Sequence, residues 1–125
     1  MKIKTSLARG FTLVEIMIVV AIIGLLASIA MPNFIKSRQQ AQKIACINNL
    51  RQIEGAKQLW ALETKAASTT IPGTTDIQPY LGRGTEGTAP VCPADSAQTF
   101  TSSYDPGDLS AAPRCLIMAG THVMP

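Results

Sequence analysis

Glu15 places a carboxylate at the head of an apolar run, Ile16 to Met31, that contains no charged residue. An ionised acid held in a membrane without a partner costs about 2.5–3.5 kcal/mol, so acids placed this way are paired or functional. No Lys or Arg lies between Gly10 and Lys36. One cation can arise nearby: the α-amino group released if the chain is cut between Gly10 and Phe11. The chemistry this end of the chain can support is cleavage between Gly10 and Phe11, followed by charge pairing of the new amine with Glu15. The pair can form across two chains or within one helix, where Phe11 and Glu15 lie one turn apart.

The other reactive side chains are scattered. His122 is the single histidine, expected as a structural or exposed residue rather than a general base. The serines include no Gly-x-Ser-x-Gly elbow. Gly82, Gly84 and Gly87 do not make a phosphate cradle, because no strand precedes them and no Lys-Ser or Lys-Thr follows. Asp105 and Asp108 have the ligand type for calcium, but Asp-Pro-Gly-Asp is commoner as a plain turn. Cys46, Cys92 and Cys115 fit neither a zinc-ligand spacing nor a Cys-x-x-Cys redox motif, so no metal site is expected. In an oxidising compartment they allow one disulfide with three candidate pairings. Cys92 with Cys115 is favoured, since both fall in a loop-rich region where closure is worth about 3 kcal/mol, and Cys46 is then a buried thiol. The chain is not expected to be an enzyme, and no cofactor is expected.

The elements that must carry these residues are unequal. Phe11 to Met31 as one helix covers about 30 Å, the thickness of a bilayer's hydrocarbon core. Pro32 removes one backbone hydrogen bond, the one to Ser28, so a pause is expected there. The pattern then turns amphipathic over residues 32–63: Cys46, Leu50, Ile53, Ala56 and Trp60 recur at helical steps and should face a small domain. Ile44, Leu59 and Leu62 lie on a second side, facing a neighbouring subunit or widening the same stripe. Together Phe11 to Glu63 make a rod of about 80 Å.

Residues 64–125 are rich in Thr, Ser, Gly and Pro and read as a thinly cored head. Residues 64–79 form a loop turning at Pro72-Gly73, and Asp76 to Gly82 a short helical turn. Gln98 to Tyr104 and Arg114 to Met118 are strand candidates, with Pro90 to Cys92 entering the sheet edge. Such a sheet is too small to stand without the helix.

With 125 residues there is room for one small domain and an anchor, which leaves little for a catalytic core. The formal charge of +3 comes from Lys2, Lys4 and Arg9, and the remaining basic and acidic side chains balance. Basic residues dominate the helix and acidic ones the head, with no basic patch interleaved with aromatics, so nucleic acid is not indicated as a partner.

Lys2 to Arg9 as a short basic leader, then Gly10-Phe11-Thr12-Leu13-Val14-Glu15 and the apolar run, resemble the prepilin signal of type IV pilins and type II secretion pseudopilins. The resemblance covers about residues 1–60. It implies an α+β pilin-like lollipop, with a leader (1–10), a membrane and filament-core helix (11–31), an amphipathic helix (32–63) and a small antiparallel head (64–125). It also implies a prepilin peptidase that cleaves after Gly10 and N-methylates Phe11. Glu15 then pairs with the Phe11 amine of a neighbouring subunit, and the chain passes from inner-membrane lipid, through an assembly platform, into a filament of identical or related subunits. The leader is cytoplasmic and the head periplasmic or outside the cell. The tail, with Cys92-Pro93-Ala94 and His122-Val123-Met124-Pro125, resembles short bacterial pseudopilin-like proteins that have Gly-Gly where Asp95-Ser96 stand here.

A conventional secretory signal and a plain single-pass anchor carrying a monomeric binding domain are the competing readings, and neither explains a glycine and an acid flanking Phe11 at this spacing. Pseudopilus and pilus both stay open, with the small head favouring the former. Gly10→Val should block processing, because a branched side chain obstructs the approach of the scissile backbone to the peptidase carboxylates. Full-length chain should accumulate in the membrane, as read by the mass of the purified protein.

Overall fold

The computed structural model describes residues 10–82 and 88–125. The leader before Gly10, and the loop expected at Gly84 and Gly87, lie outside the described residues. The chain divides into two compact units, Met1–Ser37 and Arg38–Pro125.

Helix α1 spans Leu13–Thr64, 52 residues, with Pro32 inside it. At Pro32, where a kink or local loosening is expected, α1 runs on as one helix. Proline costs one bond in an otherwise apolar helix, and neighbouring side chains bond to carbonyls near it: Ser28 Oγ donates to the Leu25 carbonyl (2.7 Å) and Asn33 Nδ2 to that of Ile29 (3.4 Å). In the first unit the large apolar side chains from Phe11 to Ile35 are all exposed. At its far end α1 stops where Lys65 turns left-handed (φ 52°) and the Ala66 amide reaches back to the Ala61 carbonyl (3.3 Å). That closure satisfies a last-turn carbonyl that the helix would leave open.

The second unit is built on the later part of α1. Cys46, Leu50, Ile53 and Ala56 are buried, the stripe expected from the helical period, with Trp60 packed against the cluster. Ile77, Leu81, Cys92, Phe100, Tyr104 and Cys115 complete the core. Ile44, Leu59 and Leu62 are half or more exposed, so they do not widen the core-facing stripe.

The connecting segments are short. Helix α2 spans Thr74–Ile77 and runs into a 3-10 turn at Gln78–Tyr80, close to the helical turn expected over Asp76 to Gly82. The Tyr80 hydroxyl donates to Glu63, which ties this turn to the end of α1. Two strands form where longer ones were expected. Thr99 accepts from the Ser102 amide (3.2 Å) and caps a one-turn helix α3, Phe100–Ser103. Four of the residues from Thr99 to Ser103 carry hydroxyls that compete for the backbone, and this breaks the expected strand from Gln98. Strands β1, Tyr104–Asp105, and β2, Arg114–Cys115, pair antiparallel with Tyr104 opposite Cys115 and Asp105 opposite Arg114. Pro90 to Cys92 does not join as a strand; instead the Cys92 amide donates to Ser103 Oγ (3.0 Å).

Two buried polar groups fasten the loops. Lys57, one of the basic residues of α1, is fully buried. Its Nζ donates to the carbonyls of Pro106 and Ala111, both at 2.7 Å, and lies 3.3 Å from Glu54 Oε2. It supplies donors to a turn whose backbone is not paired in a sheet. Asp95 accepts from the hydroxyls of Ser102 and Ser103 and from the Ala97 amide.

Lys57→Met preserves the aliphatic stem but leaves two carbonyls without a donor, so it should destabilise the second unit by about 2–4 kcal/mol. Denaturant unfolding of the detergent-solubilised chain, followed through Trp60 fluorescence, measures this. Asp95 has a different signature. Hydrogen bonds from Ser102 and then Ser103 hold its carboxyl below the usual carboxylate range, so the unfolded chain binds more protons than the folded one between the two pKa values. Its stabilisation is therefore complete above the ordinary carboxylate pKa and is lost as pH falls through the lower, folded value. Asp95→Asn should remove that part of the acid dependence in unfolding midpoints measured across pH.

Candidate functional site at the start of helix α1

Gly10, Phe11, Thr12 and Glu15 meet at the entry to α1. Thr12 precedes the first helical residue, and its Oγ1 accepts from the Glu15 amide (3.2 Å). Glu15 Oε2 in turn accepts from the Thr12 amide (2.8 Å) and hydroxyl (3.0 Å). This is a capping box, in which two backbone donors left open at a helix start are satisfied reciprocally. Thr12-Leu13-Val14-Glu15 carries the sequence signal for it, Thr-x-x-Glu ahead of an apolar run, which reasoning from charge alone passed over. Within this single chain, then, Glu15 is turned onto Thr12 rather than towards Phe11.

Gly10 lies in extended chain just before the helix. A Cβ built on it meets nothing within 4 Å, so a larger residue is tolerated by the fold itself. Phe11 is 85% exposed. The helix that follows is long and apolar enough to cross a membrane, and none of its most apolar window is buried. Leaving so many Ile, Val and Leu side chains in water forgoes about 1.5–3 kcal/mol each, which lipid or other protein surface must recover.

The second unit holds the other candidates. Asp105 and Asp108 do not converge. Asp105 accepts from the Gly107 amide (3.1 Å) and pairs with Arg114 (3.0 Å), while Asp108 accepts from Ser110 and Ala111. Both carboxylates are engaged as turn formers around Gly107, whose φ of 62° suits glycine.

All three cysteines are buried and free. The sulfurs of Cys92 and Cys115, the pair favoured for a disulfide, stand 3.9 Å apart. Cys46 and His122 share the same cluster, and one ligand atom from each of the four residues lies within 4.8 Å of the others. His122, expected as a structural or exposed residue, is buried, with Nδ1 3.9 Å from Cys92 Sγ. Burial raises the Cys46 and Cys92 thiols and lowers the His122 imidazole, which the charge of Lys43 depresses further. Nothing in the spacing of these residues along the chain announced the cluster, because each comes from a different element.

Residues 5–31 match the family model described as the prokaryotic N-terminal methylation motif. The chain is 38% identical over 65 residues to the type II secretion system core protein G of Klebsiella pneumoniae, covering 52% of this chain and 46% of that protein. It is 53% identical over 49 residues to the type IV major pilin protein PilA of Myxococcus xanthus, covering 39% of this chain and 22% of the pilin. The alignment with the type IV major fimbrial protein FimA of Dichelobacter nodosus is longer, 35% identical over 99 residues, covering 79% of this chain and 64% of that protein. The chain spans about half the length of the secretion-system relatives it matches. No solved structure matches it. None of these relatives is named as an enzyme. The chain thus matches the prokaryotic N-terminal methylation motif over residues 5–31 and is similar, mainly in its N-terminal half, to type II secretion core proteins G and type IV pilins.

Proposed function

We propose that this chain is a structural subunit, cleaved after Gly10 by a prepilin peptidase, N-methylated on Phe11, and assembled into a type II secretion pseudopilus or a type IV pilus-like filament. The observation that carries this reading is the methylation motif, residues 5–31, together with a helix whose large apolar side chains from Leu13 to Ile35 are all exposed in the single chain. Before assembly that surface is covered by inner-membrane lipid, with the head on the periplasmic side. After assembly, at an inner-membrane platform, it is covered by the same surface of identical or related subunits. The relatives named as core protein, major pilin and major fimbrial protein support the class.

Glu15 has two jobs in this reading. Within the chain it completes the capping box with Thr12. In the filament its charge meets the new amine of Phe11 on a neighbour, a pairing favoured by the low dielectric of an apolar core. Cleavage removes the peptide bond in front of Phe11 and so creates the cation that Glu15 lacks.

Mass spectrometry of the mature N-terminus tests the class, with a chain beginning at methylated Phe11 expected. A start elsewhere contradicts the filament reading. Glu15→Gln then separates the two jobs, since Gln can complete a capping box but carries no charge. Co-expressed with wild type, both Glu15→Gln and Glu15→Leu should be cleaved and inserted normally yet enter filaments poorly. If Glu15→Gln appears in filaments at its expressed ratio, the intersubunit charge pair is wrong and capping alone explains the residue.

A further inference from the structure

We propose that Cys46, Cys92, Cys115 and His122 form a tetrahedral site for a zinc-type divalent ion that clamps four separate segments of the second unit together. The four come from the long helix, the loop after Pro90, strand β2 and the C-terminal segment. Their ligand atoms lie within 4.8 Å of one another, and two of the separations are 3.9 Å. With Zn–S near 2.3 Å and Zn–N near 2.0–2.1 Å, a tetrahedral Cys3His site has edges of about 3.5–3.8 Å. The cluster therefore needs to contract by no more than about 1 Å to hold an ion.

The donor set fits the ion. Three soft sulfurs and one imidazole nitrogen are a closed structural zinc set, with no position left over for catalysis. All four residues are buried, which suits a site that excludes water. The surroundings are built as a metal site's would be. The Cys92-Pro93-Ala94-Asp95 turn closes through the Asp95 amide to the Cys92 carbonyl (2.9 Å). Tyr104, buried in the same core as Cys46, is held through its hydroxyl by Asn49 Nδ2 at 3.0 Å. The His122 amide donates to the Met118 carbonyl (2.9 Å), fixing the backbone that presents the ring.

Charge and redox chemistry point the same way. Binding releases three thiol protons to solvent and forms three metal–sulfur bonds and one metal–nitrogen bond, so no oxidant is consumed. The loaded site has a net charge of −1. A disulfide would use two of the three sulfurs and leave a thiol and an imidazole beside it with no partner. A metal uses all four groups. The gain is large in a unit with so small a core, since a structural zinc ion couples its binding free energy to folding. This inference concerns the second unit and does not rest on the filament reading.

The test uses the full-length chain in detergent, purified anaerobically after reduction and titrated with Co2+ and then Zn2+. The expected result is one equivalent of Co2+ per chain, with the intense visible bands of tetrahedral geometry and thiolate charge transfer, both erased by Zn2+. X-ray absorption of the zinc form should give three sulfurs and one nitrogen as neighbours. Cys46→Ser should remove about a third of the thiolate charge transfer, since one of three thiolates is lost. His122→Ala should weaken binding by at least about tenfold while retaining the charge transfer. The wild-type measurements stand even if a variant fails to fold. Three outcomes overturn the proposal: no tetrahedral Co2+ spectrum at one equivalent, a coordination shell lacking either sulfur or the imidazole nitrogen, or an unchanged affinity in a folded His122→Ala chain.

Discussion

One buried face of α1 carries the second unit. Cys46, Leu50, Ile53 and Ala56 recur at helical steps, and the loops and strands beyond the helix pack onto them through Ile77, Leu81, Cys92, Phe100, Tyr104 and Cys115. A two-stranded sheet of two residues per strand has no independent stability. The helix therefore supplies the rigid surface, and the rest of the unit adopts the few conformations that bury Ile77, Leu81, Phe100 and Tyr104 against it. Loss of that stripe would leave the loops with little reason to order, because fixing each residue costs about 1–2 kcal/mol of backbone entropy.

A thin core shifts the burden of specificity to polar contacts. Lys57 enters the interior with its charge and repays the desolvation by donating to two loop carbonyls. Asp95 gathers two serine hydroxyls and a backbone amide, and Ser103 passes the chain of bonds on to the Cys92 amide. Asn49 links the helix both to the Val91 carbonyl and to the Tyr104 hydroxyl. Each of these groups pins an irregular segment that no sheet ladder could hold, so the conformation of the loops follows from a handful of named donors and acceptors. The cysteine and histidine cluster belongs to the same strategy, uniting four segments at one point.

The first unit follows the opposite rule. Its apolar surface is continuous and turned outward, which makes sense only for a helix whose partners are lipid or other chains. At the helix start Thr12 and Glu15 settle the open backbone groups before the apolar run begins. A carboxylate at a helix start also sits where the peptide dipoles favour negative charge. One residue thereby serves both the backbone and the dipole of the helix start.

Much of this was legible in the sequence because it depends on local pattern. The apolar run, the stripe of Cys46, Leu50, Ile53 and Ala56, the loop-rich composition after Lys65, and the glycine and acid around Phe11 are all fixed by residue type and spacing, and their consequences need no knowledge of distant contacts. The Thr12–Glu15 box was also present as a local signal. Other features were decided by tertiary structure alone. The strand expected from Gln98 became a capped helical turn because Thr99 and Ser102 found each other. Lys57 went inside because two carbonyls, 49 and 54 residues away, lacked donors. Cys46, Cys92, Cys115 and His122 read as unrelated residues in one dimension and converge only when four segments pack on one helix face. A local period determines which side of an element is apolar, whereas the meeting of side chains from distant segments depends on the packing of the whole unit, which no spacing along the chain encodes.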